Sequence, residues 1–449
     1  MSTGLISSEE PITTDALISQ TDPETLDNSG LAGCLRNIQR EGWLEFQAIP
    51  APKRTDEAWR FANLKAVDLA GYIAPSPVTD SVQADLIARS VGLEKTAGKM
   101  IFANDQLLQR EILSEELKSK GVIWESIEKA AAEHETIFRK HFMAQEAVLG
   151  AKKFAALHKA WVKSGTFLYV PRNVEIELPL EVFHWLDGEK NSTFPHTLLI
   201  AGENSKVTLV DYFQSTDPEA AGFACGVNDL YLEAGAKLTY VSVQNWSRKA
   251  VSFQINSTHV GRDASAVSMN LNLGAAYART ESLSRLKGEG GRSDMLAVSV
   301  ANGTQEFDHR TLQDHTVPNT ASDLLYKNSL DDKARTIFAG LIRVQPQAHK
   351  TDAYQKVKNL LLSDESEANS APGLEILADD VRCTHGATSG QIDAEELFYF
   401  LARGIEKKAA QKLIVHGFLD EVIQRLGNDP LAEKLSSLVH AKFENATTL

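Results

Sequence analysis

The hydrophobic and polar positions change their period twice along the chain. From Leu31 to about Lys163 apolar residues recur at three- and four-residue spacing, as in LAGCLRNIQREGWLEFQAI, the pattern of helices with one buried face. IPAPKRTDEAWRFANLKAV then breaks at two prolines, and Asp56 is placed to cap a short helix carrying Trp59 and Arg60. KMIFANDQLL begins like a strand, whereas LSEELKSKGVIWESIEKAAAEH and RKHFMAQEAVLGAKKFAALHKAWVKSG read as helices. This predicts an α-rich region with a small strand component over 31–164, preceded by an acidic leader over 1–30 that is expected to be disordered.

At Gly165 the period falls to two. TFLYVPRNVEIELPLEVFHW alternates, and HTLLIAG, KVTLVDYFQ, DLYLEAGAKLTYVSVQNW, VSFQINSTHV, SAVSMNLNLG, MLAVSVAN, RTIFAGLIRV and LEILADDVRC follow, separated by polar or glycine corners. A sandwich or barrel would fit, but the recurring corners suggest a stacked solenoid. Gly235 and Gly261 are 26 apart, and Gly261 and Gly291 are 30 apart. A solenoid needs caps at its ends, and helical regions at both termini are expected to supply them. The β core is placed at 165–391 and a helical domain at 392–449. Asp393 starts the first of its helices, Gly404 ends it, the second is expected to bury Ala409, Leu413 and Phe418, and Asp429-Pro430 opens the third.

Composition narrows the function. Sixty acidic against 46 basic side chains leave a net charge of -14, which disfavours nucleic acid and anionic membranes as partners. No run of about 18 apolar residues predicts a transmembrane helix. Cys34, Cys225 and Cys383 are odd in number and widely spread, so they form no disulfide framework and fit a reducing compartment. A soluble cytoplasmic protein is the simplest reading. Cys34 reads as a small buried hydrophobe on an apolar helical face.

The chemistry concentrates at Leu374–Gly404, LEILADDVRCTHGATSGQIDAEELFYFLARG. Cys383 and His385 stand two apart on a strand and so share one face. Both suit iron or zinc, yet a closed site needs about four donors. The remainder must come from elsewhere in the chain or from another molecule. DHRTLQDH repeats Asp-His at 308–309 and 314–315, which a solenoid could simply stack as polar corner residues. Asp379 and Asp380 are adjacent and point to opposite faces, which disfavours a shared-proton pair. A carbohydrate-active β-helix enzyme would need carboxylates about 5 to 10 Å apart on one face, and no recurring acidic position builds one. A purely structural β-helix is the other alternative.

Four stretches resemble the SufB/SufD proteins of iron–sulfur cluster assembly: DEAWRFANL at 56–64, SDLLYKNSLDDKARTIFAGLIRV at 322–344, NLLLSDESEANSAPGLEILADDVRCTHGATSG at 359–390 and LFYFLARGI at 397–405. The Cys383-Thr384-His385-Gly386-Ala387 run is more similar to the SufD pattern than to the SufB one, and FACGVND around Cys225 does not resemble the SufB thiol site. The resemblance implies a right-handed parallel β-helix between an N-terminal α-rich and a C-terminal helical domain. It implies a non-catalytic subunit that pairs with SufB through the β-helix and binds the ATPase SufC through the C-terminal helices. A transient iron–sulfur cluster would form at the SufB interface, with His385 as the foremost metal ligand from this chain and Cys383 as a second. Isolated, the chain could instead homodimerise through the same edge. The sequence has no G-x-x-x-x-G-K-[ST] loop, so nucleotide hydrolysis would belong to the partner.

Overall fold

The computed structural model describes residues 21–22 and 31–444; most of the expected leader at 1–30 lies outside them. The β region winds into a solenoid of parallel strands arranged as two sheets. One sheet stacks Leu180–Leu186, Lys206–Ser215, Lys237–Asn245, Ser265–Asn272, Arg292–Ala301, Ala321–Leu330, Asp352–Leu361 and Arg382–Gly390. The other stacks Thr166–Val170, His196–Ala201, Gly222–Leu232, Val251–Val260, Tyr277–Leu286, Glu306–His315, Arg335–Val344 and Glu367–Ile376. Register partners lie from 26 residues apart (Val251↔Tyr277) to 32 (Arg335↔Glu367), which accounts for the uneven glycine spacing of the corners.

The N-terminal region mixes helix and strand. Gly98–Ala103 adds in parallel to Leu180–Leu186 and turns back as Gln106–Arg110, while Ile123–Ser126 pairs antiparallel with Thr166–Val170. These strands continue both sheets and close that end of the solenoid. Two expected helices are broken. Gly121 (φ 84) separates helix Glu115–Ser119 from strand Ile123–Ser126, and Met143 (φ 46) and Gly150 (φ 128) separate Glu135–His141 from Lys152–Trp161. Left-handed backbone at those points ends a helix whatever the surrounding apolar spacing.

The C-terminal helices do not cap the other end. Lys407–Ile423 and Asp429–Glu444 fold back along the outer face of the first sheet, where Val415, Leu419, Val422, Leu431, Leu435 and Val439 share a core with Val210, Val241, Leu271, Leu296 and Val298. Lys327 donates to Glu421 and to the Phe418 carbonyl, and Arg425 pairs with Asp323 at 2.6 Å. In Lys407–Ile423 the buried residues are Ala410, Val415, Leu419, Val422 and Ile423. Ala409 is exposed, Phe418 only partly buried, and Leu413 is turned outward. This helix carries apolar residues around much of its circumference, so spacing did not select the docked face.

The lumen is apolar near the N-terminal end, with Val182, Leu209, Val207, Leu238 and Tyr240 stacked together, and it carries more hydrogen-bonded polar groups further on. Asp211 accepts from Thr197 and Tyr240, both at 2.7 Å, and Asn328 donates to Asn359 at 2.7 Å. Burial raises the Asp211 carboxyl to about 6. Asp105, second residue of the Asn104–Asp105 hairpin turn, accepts from Thr193 and from the Phe194 N–H, and burial raises it to about 7. An unfolded carboxyl titrates near about 4. Between about 4 and 7 the folded chain therefore keeps a proton the unfolded chain has released, so this group makes stability fall as pH rises. Asp105→Asn, which suits the left-handed turn, is expected to flatten that fall. Urea midpoints at pH 5 and pH 8 should then differ less than in the unsubstituted protein.

Candidate functional site

The two strands that finish the solenoid are each paired on one side only. Arg382–Gly390 lies against Asp352–Leu361, Glu367–Ile376 lies against Arg335–Val344, and among the described residues nothing continues either sheet. Glu306–His315, in mid-solenoid, is buried at every position, whereas Arg382–Gly390 is exposed at all but Cys383. Leu374, Ile376 and Leu377 are 38%, 38% and 52% exposed beside it. An open backbone edge is a template for pairing with a further strand, and an apolar patch beside it marks an interaction surface.

Cys383 and His385 face inward on this last coil. Cys383 continues the row Ser322–Ala353, and His385 the row Leu324–Gln355; Ala353 and Gln355 are 0% and 2% exposed. The sequence reading of a shared face therefore holds, and the shared face is the interior of the coil. Cys383 packs on the small cluster of Ile342, Val344, Ala348 and Ala353. Burial, reinforced by nearby Asp352, pushes its thiol up, opposed by a bond with the Ala353 backbone. A thiol held protonated is the weaker donor until a metal displaces the proton. His385 is exposed and presents its imidazole at the mouth of the coil. No group of three or more His, Cys, Asp or Glu placed to hold a metal occurs among the described residues.

The other candidates lie apart from this end. Cys225 is in the opposite sheet, five strands back, where its thiol donates to the Phe154 carbonyl at 3.3 Å and burial drives its pKa far up. Cys34 is buried on helix Gly33–Ala48 and donates to the Ala131 carbonyl at 3.2 Å. DHRTLQDH is a strand and not a corner. Its outward Asp308 and Asp314 pair with Arg279 and Arg285, each at 2.7 Å. Its inward His309 and His315 meet Ser299 at 3.2 Å and Thr320 at 2.7 Å, and burial lowers both rings to about 4. Alternation sends the carboxylates and imidazoles to opposite faces, so they build no joint metal site. Asp379 and Asp380 sit in the turn before the last strand, with Asp380 in the left-handed region at φ 55.

Trp59 lies on the second sheet. Its Nε1 donates to the Gly150 carbonyl at 3.2 Å and its ring stacks under the Arg279 guanidinium at 4.0 Å. The Arg60 carbonyl accepts from Arg310 at 2.9 Å. Sequence reasoning missed Gln355 and Arg279, because only the register between coils shows what each one faces.

A two-sheet parallel β-solenoid, closed at one end by the N-terminal strands and open at the other beside Cys383 and His385, is the class of protein that the fold defines. Residues 184–418 match the family described as SUF system FeS cluster assembly, SufBD core domain, and residues 22–182 match the SufBD protein N-terminal region. The chain is 30% identical to the iron-sulfur cluster assembly protein SufD of Bacillus subtilis (strain 168), over 91% of this chain and 94% of that one. It is 25% identical to an iron-sulfur cluster assembly SufBD family protein of Staphylococcus epidermidis (strain ATCC 12228), over 89% and 87%. A SufBD family protein of Staphylococcus aureus (strain USA300) is 26% identical over 89% and 87%. The chain belongs to the SufBD family of the SUF system for iron–sulfur cluster assembly.

Proposed function

We propose that this chain is the SufD-type, non-catalytic subunit of a SufBCD-type complex. It pairs with SufB through the open end of its solenoid and contributes His385, with Cys383 behind it, to a nascent cluster assembled there as cargo. The observation that carries this reading is the last coil: two free sheet edges and an apolar fringe surround two inward donors, and the rest of the ligand set has to come from the facing chain. The short helix Ala394–Leu401 buries none of its residues and leaves Phe398 and Tyr399 68% and 54% exposed. It is the surface offered to SufC. Lys327–Glu421 and Arg425–Asp323 tie the helix behind it to the strand Ala321–Leu330, two strands from the one bearing His385, giving a short route from the ATPase to the cluster site.

The test is co-expression of this chain with SufB and SufC, unsubstituted and as His385→Ala, followed by anaerobic measurement of iron and sulfide on the purified complex. The complex is expected to assemble with its cluster content reduced tenfold or more, the scale on which lost metal contacts act. Unchanged iron and sulfide would make the chain purely architectural.

A further inference from the structure

The interior row that ends in His385 carries an unusual residue one rung below. Gln355 is the register partner of His385, so their side chains leave the same face of strands about 4.8 Å apart. Gln355 is 2% exposed, yet neither its Oε1 nor its Nε2 has a hydrogen-bond partner. No other carboxamide among the described residues is buried with both ends unpartnered. The opposite sheet leaves room for it: Gly340 faces the amide, and a Cβ there would overlap Gln355 Nε2 and crowd Thr311 Oγ1. A buried amide without partners destabilises the fold, and an apolar side chain of equal length would not. A ligating histidine is ordinarily oriented by an acceptor that takes its other ring N–H, and the unpartnered Gln355 Oε1 is an acceptor.

We propose that Gln355 is a positioning residue for His385, accepting a hydrogen bond at Oε1 from the inner ring N–H so that the other nitrogen presents its lone pair outward. A neutral imidazole has one protonated nitrogen and one bare one, and the bond made by the first decides which atom can coordinate. The proposed contact requires the exposed His385 side chain to turn about its own torsions toward the amide across the rung spacing. The importance of this contact rests on His385 being a ligand, but the contact itself can be measured without a cluster.

The test uses the full chain, 15N-labelled at histidine, at a pH where the ring is neutral. Long-range 1H–15N correlations report the tautomer, and His385→Ala identifies the signal. One tautomer is expected to dominate at His385 in the unsubstituted chain. Gln355→Leu should return it to the mixture of a free imidazole, and Gln355→Glu, which keeps an acceptor, should restore the preference. The melting temperature of Gln355→Leu should equal or exceed that of the unsubstituted chain, and the other histidine signals should stay in place, which separates the effect from misfolding. A mixture in the unsubstituted chain, or a tautomer ratio unmoved by Gln355→Leu, overturns the proposal. If His385→Ala leaves cluster content unchanged, the ligand reading fails and the tautomer result still reports on Gln355.

Discussion

Arg279→Met is expected to destabilise the protein by about 3–5 kcal/mol, the scale for removing one member of a buried ion pair. The Arg279 side chain is fully buried. Its guanidinium meets Glu281 and Asp308, each at 2.7 Å, and donates to the carbonyls of Ala58 at 2.8 Å and Leu149 at 3.0 Å. Asp308 keeps a second partner in Arg310 at 2.6 Å. Glu281, whose Oε2 is already unpartnered, would be left as a buried charge with no cation. The two carbonyls belong to the segments that clasp the N-terminal region to the solenoid, so the loss should also loosen that contact. The checks are a lower urea midpoint and faster proteolysis around residues 50–64. Arg279→Lys should recover only part of the stability, because an ammonium lacks the planar fork that reaches four acceptors in different directions. Stability within about 0.5 kcal/mol of the unsubstituted protein would refute the assignment of this cluster as the clasp.

Ala387→Pro is expected to leave the isolated chain folded and to abolish the pairing with SufB proposed above. The Arg382 N–H donates inward to the Thr351 carbonyl at 2.8 Å. Backbone groups of successive residues in a strand face opposite neighbours, so residues 384, 386 and 388 also bond inward, and 383, 385 and 387 turn their N–H groups toward the empty edge. Proline at 387 removes a donor that nothing in this chain uses, the one kind of sheet position that tolerates it. To a partner strand it presents a missing bond and a ring in the gap. Each 1.4 kcal/mol lost is tenfold in affinity, so co-purification should fall sharply while the melting temperature of the isolated chain stays nearly constant. Intact co-purification would show that the sheets do not continue into the partner. The contrasting Thr388→Pro should lower the stability of the isolated chain, because it strikes the chain's own ladder.

The strands legible from alternation were those with one apolar face, such as HTLLIAG and MLAVSVAN. Tyr277–Leu286, Glu306–His315 and Asp352–Leu361 escaped because much of their buried surface is polar. Arg279, Glu281 and Asp308 form one buried ion-pair cluster, and His309 and His315 are bonded by Ser299 and Ser322 of the opposite sheet. Buried polar residues carry no hydrophobic signature, and their partners on the facing sheet or the neighbouring coil are fixed only when the coils stack. The same holds for the C-terminal helices: their existence followed from caps and spacing, with Asp393 accepting from the Glu395 and Glu396 N–H groups at 2.7 and 3.1 Å. Their place on the flank of the sheet did not.

By itself the sequence determined the two-residue spacing of Cys383 and His385, and hence their common face, because side-chain alternation in a strand is local. It determined the change of period near Gly165, and its corner spacing pointed to a solenoid while a sandwich or barrel still fitted the same alternation. Tertiary structure alone decided that this face looks into the coil, that the coil is left open, and that Gln355 lies one rung beneath His385. Those facts depend on which residues stack across successive turns and on where the C-terminal helices come to rest. Both are settled by the total surface buried when the whole chain packs, a sum that no local stretch contains.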